Sequence, residues 1–253
     1  MLSKERVYRI MNILNDKSFV TIVELMESLG VSKSTITRDL IEMEKQELII
    51  RERGGAIKVE MGETLNNFKD IPTREKEMIH SDKKRLICEE AVKTIKDGDC
   101  VYIDSGTTPT YMIQFLGNKN IKVVTPSTYV IRKLPLDFRG EVYLVGGAFN
   151  VGYDMSVGYH TLDMIKKFHF DKAFFSASGV NLASGDVLSV DFEICAVKEE
   201  VMKRSNHNYL LIDDSKLNIR AIATWSNINE FKTVYMNKPE KNLKLPKNFL
   251  LCE

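Results

Sequence analysis

The sequence predicts two folded units: a small helical one closed by a hairpin over residues 1–59, and a larger α/β domain with a mainly parallel sheet over residues 74–253. Three observations carry this. Between Ser3 and Met43, three short runs place apolar residues at helical spacing, separated by turn and capping residues. From Cys100 to Met236, short apolar strand candidates alternate with helical stretches, the rhythm of strand–helix–strand units. Between these regions, residues 60–73 are polar with scattered apolar members and contain Pro72, which fits a linker.

In the first unit, Ser3 can cap a helix whose stripe is Val7, Ile10, Met11 and Leu14, ending at Asn15-Asp16-Lys17-Ser18. Thr21-Ile22-Val23-Glu24 has the capping-box pattern, Leu25, Met26 and Leu29 supply the next buried stripe, and Gly30 closes the helix in the left-handed region. Ser32 then caps a third helix with Ile36, Leu40 and Met43 inward and Lys33, Ser34, Thr35, Thr37 and Arg38 near its polar start. Leu48 to Val59 reads as two short strands around Gly54-Gly55, with Arg51 and Arg53 near the tip. Two helices joined through a glycine turn, the second with a cationic outer face, followed by a basic hairpin, make a winged helix-turn-helix. The expected partner is double-stranded DNA, with Lys33, Ser34, Thr35, Thr37, Arg38, Arg51 and Arg53 as the candidate contacts; the helices alone would also fit a small bundle whose third helix has a solvated face, and the basic hairpin favours DNA.

The whole chain is consistent with that partner without demanding it. At 253 residues, with 43% hydrophobic and 28% charged residues, it is an ordinary globular composition, and the net charge of +1 makes DNA binding depend on locally placed cations. Cys88, Cys100, Cys195 and Cys252 are too far apart for a zinc site or a disulfide framework, and His80, His160, His169 and His207 lack metal-ligand spacing. No metal or cofactor is expected. The absence of a long apolar run points away from membranes and towards the cytoplasm.

In the second unit, Ile79, Leu86, Ile87, Ala91 and Ile95 predict a long amphipathic helix ending at Asp97-Gly98-Asp99. The strand Cys100–Ile103 follows, then the loop Asp104-Ser105-Gly106-Thr107-Thr108-Pro109, then a helix through Tyr111–Leu116 capped by Thr108. Such a loop is either a seat for a small anion such as a phosphate, offering backbone N–H groups and hydroxyls, or an ordinary capped turn. Later strands are expected at Ile121–Val124, Val142–Val145, Lys172–Ala177, Tyr209–Ile212 and Thr233–Met236. Their carboxyl ends carry Thr125 and Ser127, Gly146 and Gly147, Ser178 and Gly179, and Asp213 to Lys216, on the edge where such sheets hold ligands. Asp191, Glu193 and Lys198 either complete a site, the carboxylates taking sugar hydroxyls and the lysine a phosphate, or form a surface ion pair.

Val31 to Leu40, with Leu48 and Arg53-Gly54-Gly55-Ala56, resembles the signature of the DeoR family of bacterial transcriptional regulators, with Thr37-Arg38 where that pattern has two adjacent arginines. Asp104 to Thr108, Gly146-Gly147 with Ser156-Val157-Gly158, Ser178-Gly179, Asp191 to Lys198, and Asp213 with Ser215-Lys216 are similar to the successive motifs of its effector domain. The resemblance implies a domain like ribose-5-phosphate isomerase that senses a phosphorylated sugar without converting it. Ser105, Gly106, Thr107 and Thr108 would then hold the phosphate, and Asp104, Glu193 and Lys198 the sugar. The second strand end, Thr125-Pro126-Ser127, stands where the family usually has Thr-Asn-Ser. The implied assembly is a dimer or tetramer. The rival reading is an isomerase-like enzyme with a DNA-binding appendage and Glu193 or Asp104 as general base. A third is a C-terminal domain that only oligomerises.

Overall fold

The computed structural model describes residues 3–17, 19–45, 49–52, 54–58, 76–77, 79–117, 119–219, 221–239 and 243–253. Contacts divide the chain into Met1–Thr64 and Leu65–Glu253.

The first unit contains α1 (Ser3–Lys17), β1 (Phe19–Thr21), α2 (Ile22–Leu29), α3 (Lys33–Lys45), β2 (Ile49–Glu52) and β3 (Gly55–Lys58). The capping box forms as its sequence requires: the Glu24 N–H donates to the Thr21 hydroxyl at 3.1 Å, and the Thr21 N–H donates to the Glu24 carboxylate at 2.8 Å. These hydrogen bonds, the first from the Thr21 backbone and the next from the Lys17 ammonium, hold the Glu24 carboxyl down at about 2. Gly30 ends α2 at φ 64°, where a Cβ would be strained. The predicted inward residues Ile10, Leu14, Leu25, Leu29, Ile36, Leu40 and Met43 form one core with Val20, Ile49 and Ala56. One element was not expected from the sequence: β1 pairs antiparallel with β3, so the wing is a three-stranded sheet in the order β1-β3-β2. Three residues are too few for a period-two pattern to show. Leu48, Arg53, Val59 and the linker 60–73 lie outside the described residues.

In the second unit the strands are β4 (Cys100–Ile103), β5 (Lys122–Thr125), β6 (Glu141–Leu144), β7 (Ala148–Asn150), β8 (Met155–Val157), β9 (Lys172–Phe175), β10 (Gly179–Val180), β11 (Asp186–Ser189), β12 (Asn208–Leu211), β13 (Ala223–Asn227), β14 (Thr233–Asn237) and β15 (Phe249–Cys252). The main sheet runs β15-β14-β12-β9-β4-β5-β6, and each of its pairings is parallel. Alternate residues serve opposite faces. Tyr102, Val124, Ala173, Phe175, Leu210 and Val234 enter one core, and Val101, Ile103, Val123, Phe174, Tyr209 and Tyr235 enter the other. Strands buried on both faces read as unbroken apolar runs, which is why they were visible in the sequence. The hairpin β7–β8 and the small antiparallel sheet β10-β11-β13 were not expected, being short and polar on one side.

Two helix expectations are corrected. The helix after Ile79 spans Ser81–Val92, and the chain reaches Gly98, at φ 87°, through turns. The helix after β4 has Gly106, not Thr108, as N-cap, and covers Thr107–Tyr111 before a further turn at Ile113–Leu116. Pro109 is therefore the third helical residue. It still lies in the first turn, where no N–H is needed.

Candidate functional site

In the first unit, α3 presents Lys33, Ser34 and Arg38 to solvent. The hydroxyls of Ser32, Ser34 and Thr35 share hydrogen bonds of 2.9 and 3.0 Å at its start, and Thr37 donates to the Lys33 carbonyl at 2.8 Å. Arg38 makes no ion pair among the described residues, so its guanidinium is available to an outside acceptor. Behind it the adjacent Asp39 is buried and takes a two-point contact from Arg6 of α1, at 2.6 and 3.0 Å, which fixes the rotation of α3. Arg51 is tied by its backbone N–H and guanidinium to Glu44, at 3.1 and 3.6 Å. Arg53 lies outside the described residues.

In the second unit, the chain order of the sheet reverses between β4 and β9. From β4 it proceeds outward through β5 to β6, and the later strands β9, β12, β14 and β15 build out from the other side of β4. In such a sheet the carboxyl ends of the two strands at the reversal diverge, opening a crevice. A cavity of about 150 Å³ lies there. One water needs roughly 15 Å³ on this measure, so the space suits a small molecule.

Its walls come from the segments that follow β4, β9 and β12, and from two helices. Ser105, Gly106, Thr107 and Thr108 form one side, Ser176, Ala177 and Ser178 another, and Asp213, Ser215 and Lys216 a third. Lys198 reaches in from the helix Phe192–Lys203, while Lys76, His80 and Lys84 approach from the opposite side. Among the described residues nothing accepts from the N–H groups of Ser105, Gly106, Thr107 or Thr108, as expected for the first turn of a helix. Gly106 is required by space, not by its φ of −61°: a Cβ there would stand 2.1 Å from Ser176 Oγ and 2.4 Å from Ser176 Cβ.

Asp104 is fully buried behind the loop. Its Oδ2 accepts from the Ser176 N–H at 3.0 Å and the Ser176 hydroxyl at 2.6 Å, and pairs with Lys198 Nζ at 2.9 Å. Its Oδ1 has no hydrogen-bond partner among the described residues. Lys198 Nζ also donates to the Ser176 carbonyl at 2.6 Å and sits 5.0 Å from the centre of the Trp225 ring. Asp104 therefore orients the lysine, and the lysine faces the cavity.

Electrostatically the cavity is a crowd of cations. Burial, followed by the repulsion of Lys216, Lys84 and Lys198, brings Lys76 down to about 7. Burial likewise lowers Lys84 to about 8, although Asp213 opposes this, and its Nζ donates to the Lys76 carbonyl at 2.6 Å. Burial also lowers His80, a non-glycine residue held at φ 53°. Burial pushes the Asp213 carboxyl up, but Lys216, the Ser215 hydroxyl, His80 and Lys84 together overcome it and hold it below the ordinary carboxylate value. The cavity thus gathers four lysines, of which Lys76 and Lys84 are lowered by burial and by repulsion from other lysines, an arrangement that a bound anion would relieve.

Of the sequence-derived candidates, Ser105, Gly106, Thr107, Thr108, Ser178, Lys198, Asp213, Ser215 and Lys216 line this cavity, and Asp104 supports it from behind. The others sit elsewhere. Thr125 ends β5 and Ser127 follows it, on the far side of the reversal. The Thr125 hydroxyl accepts from the Ser127 N–H at 3.2 Å, and Ser127 caps the next helix at the Val130 N–H. Gly146 accepts from Thr161 Oγ1 at 3.0 Å, and Gly147 is packed so closely on that hydroxyl that a Cβ would stand 2.0 Å away. Gly179 pairs in β10 under the Ile219 carbonyl, 2.3 Å from where a Cβ would be. Glu193 is exposed near Gly158, and Asp191 caps its helix by accepting from the Glu193 and Ile194 N–H groups at 2.8 and 3.0 Å. Lys76, Lys84, His80, Tyr153 and Ser176 line the cavity without having been singled out for it. For Lys84 the signal was present: it stands three residues before Ile87 and four before Cys88, on the buried stripe of its helix.

Among the described residues no helix is long and apolar enough to cross a membrane, and no cluster of metal-ligating side chains occurs.

The chain is 28% identical over 255 residues to the lactose phosphotransferase system repressor of Staphylococcus aureus (strain NCTC 8325 / PS 47), covering 99% of this chain and 98% of that protein. It is 28% identical over 240 residues to the glycerol-3-phosphate regulon repressor of Escherichia coli (strain K12), covering 94% and 92%. A solved ribose 5-phosphate isomerase A from Methanocaldococcus jannaschii aligns with 54% of each chain at 20% identity and a TM-score of 0.40. Residues 6–61 match the DeoR-like helix-turn-helix domain, and residues 79–238, well over half the chain, match the DeoR C terminal sensor domain. With a DNA-reading unit in front and a sensor domain behind, the chain belongs to the DeoR family of transcriptional regulators.

Proposed function

We propose that this regulator represses sugar-metabolism genes and that its cavity admits a phosphorylated sugar, which sets its hold on operator DNA. The observation that carries this is the cation crowd of Lys76, Lys84, Lys198 and Lys216 around the N–H groups of Ser105 to Thr108, which no described residue accepts from. Lysines outnumber the carboxylates Asp104 and Asp213 around the cavity, which favours an anionic ligand such as a phosphate. The names of the two repressors above, one of a sugar phosphotransferase system and one of a phosphorylated-polyol regulon, agree in class. Lys33, Ser34 and Arg38 would meet the duplex, and a cytoplasmic dimer would read two half-sites.

Turnover is the poorer reading. A general base must reach the substrate's proton, whereas Asp104 is fully buried and neither it nor Glu193 lines the cavity.

A thermal-shift screen of phosphorylated hexoses, pentoses and polyols, with their unphosphorylated parents as controls, tests the proposal. Only the phosphorylated members should raise the melting temperature, because a ligand specific to the native state stabilises it. The same compounds should change operator retention in a gel-shift assay, and NMR of the mixtures should show no conversion. Equal protection by phosphorylated and unphosphorylated forms would overturn the assignment.

A further inference from the structure

Just before the helix Ser81–Val92 the chain runs along one wall of the cavity, which Lys76, Ile79 and His80 line and which Lys84 continues from the first turn of that helix. In chain order this stretch follows the linker 60–73, which the DNA-reading unit precedes. Three side chains from elsewhere in the unit hold it. Lys84 Nζ donates to the Lys76 carbonyl at 2.6 Å, the Tyr111 hydroxyl donates to the Glu77 carbonyl at 2.9 Å, and Lys133 pairs with the Glu77 carboxylate. Burial pushes the Glu77 carboxyl up, but Lys133 and the Tyr129 hydroxyl overcome it and hold it below its ordinary value. The chain then turns at His80, whose φ of 53° is a backbone state that a non-glycine residue keeps only when its surroundings impose it. Two of these fastenings begin at the cavity: Lys84 lines it, and Tyr111 ends the helix Thr107–Tyr111, whose first turn lines it.

We propose that residues 76–80 are a strap which an anion in the cavity fastens through Lys84 and Tyr111, with Glu77 as its outer pin, and that this fastening carries occupancy of the cavity to the linker. This rests on the anion-site reading above and adds the route by which the site acts. A ligand shifts an equilibrium only by contacts that differ between its two states. Here they differ because Lys76 and His80 line the cavity only while the strap lies on it, and Lys84 holds the strap by its Nζ. An anion that secures the Lys84 proton turns this hydrogen bond into a charge-assisted one, which is stronger. An anion seated on the first turn of the helix Thr107–Tyr111 fixes the element that carries the Tyr111 hydroxyl. Loosening the strap would add five residues of free chain to the linker, up to about 17 Å of reach. Half-sites on DNA stand roughly 34 Å apart, so a change of that size decides how closely two DNA-reading units are held to them.

The test uses the full chain with inorganic phosphate, hydrogen exchange read by mass spectrometry, and a DNA fragment selected from random sequence for retention by the same chain. Saturating phosphate should raise the melting temperature and slow exchange in two peptides, one over 105–112 and one over 76–84. It should also change the affinity for the DNA at least about fivefold, the low end of ordinary coupling between sites. Glu77→Ala combined with Tyr111→Phe removes pins that do not line the cavity. That variant should keep the rise in melting temperature and the protection at 105–112, while residues 76–80 exchange faster and ignore phosphate, and the effect on DNA affinity falls towards none. Should it fail to fold, Lys133→Gln breaks the same ion pair from the other side and should show the same split. If phosphate stabilises the wild type and protects 105–112 but leaves either 76–84 or DNA affinity unchanged, the strap is refuted and the anion site stands. An unpinned variant whose DNA affinity still responds like the wild type also refutes the strap. If phosphate neither raises the melting temperature nor slows exchange anywhere, both readings are refuted.

Discussion

Saturating the cavity with a phosphate monoester at pH 8 should draw protons from solution. With Lys84 at about 8 and Lys76 at about 7, the empty site at that pH holds one amine half protonated and the other mostly neutral. An ordinary lysine, near 10.4, would be fully charged. The ligand's second phosphate pKa is about 6, so it arrives as a dianion and brings no proton. Once it lies among the amines, its charge favours both ammonium forms, and binding takes up roughly one proton per site. Calorimetric titration in two buffers of different ionisation enthalpy reads this directly, because the heat per injection differs by the uptake times the enthalpy difference. At pH 6 both amines are already charged and the phosphate must lose part of a proton to bind, so the sign reverses. The unliganded protein carries the matching signature. Both amines have folded values below their unfolded ones, so the unfolded chain binds more protons between about 7 and the unfolded value, and stability rises with pH across that window. Equal heats in the two buffers at pH 8 would refute the account of the cavity as a site of suppressed ammonium charge.

Three single variants, one of them with a second-site rescue, test the parts separately. Gly106→Ala forces a Cβ against the Ser176 side chain and should cost about 1–3 kcal/mol in urea unfolding while removing the phosphate-dependent thermal shift; a retained shift would show that the loop can move away. Lys198→Met leaves Asp104 buried without its cation and should destabilise by about 3–5 kcal/mol, with Asp104→Asn in the same chain recovering part of the loss. Arg38→Ala, far in sequence from the cavity and exposed, should weaken operator binding in a gel-shift titration and leave the phosphate-dependent thermal shift unchanged. Loss of both would mean that the two functions are not separable.

How much of this was legible in the sequence follows from what each feature depends on. The helix-turn-helix depends on local signals, and the Thr21/Glu24 box, Gly30 and the inward stripes are all written within a few residues of where they act. The parallel strands were legible because burial on both faces leaves apolar runs such as Cys100–Ile103 and Lys172–Phe175. What was not legible is the order in which those strands pair, and the cavity depends on that order. The carboxyl ends of β4, β5, β6, β9 and β12 look equally polar in sequence, and all five invite a binding role. Reversal between β4 and β9 divides them: Ser105 to Thr108, Ser176 to Ser178 and Lys216 face one crevice, while Thr125, Ser127, Gly146 and Gly147 are left beyond it as caps and packing partners. Lys84 was hidden for a different reason. A lysine on an apolar stripe looks like an imperfection in an amphipathic helix until the neighbouring Asp213 and the open space above it are known. A buried cation in a helix that leads directly into a glycine-bearing strand–helix loop is thus worth reading as half of an anion site, because burial without a ligand is the state in which that lysine is least at ease.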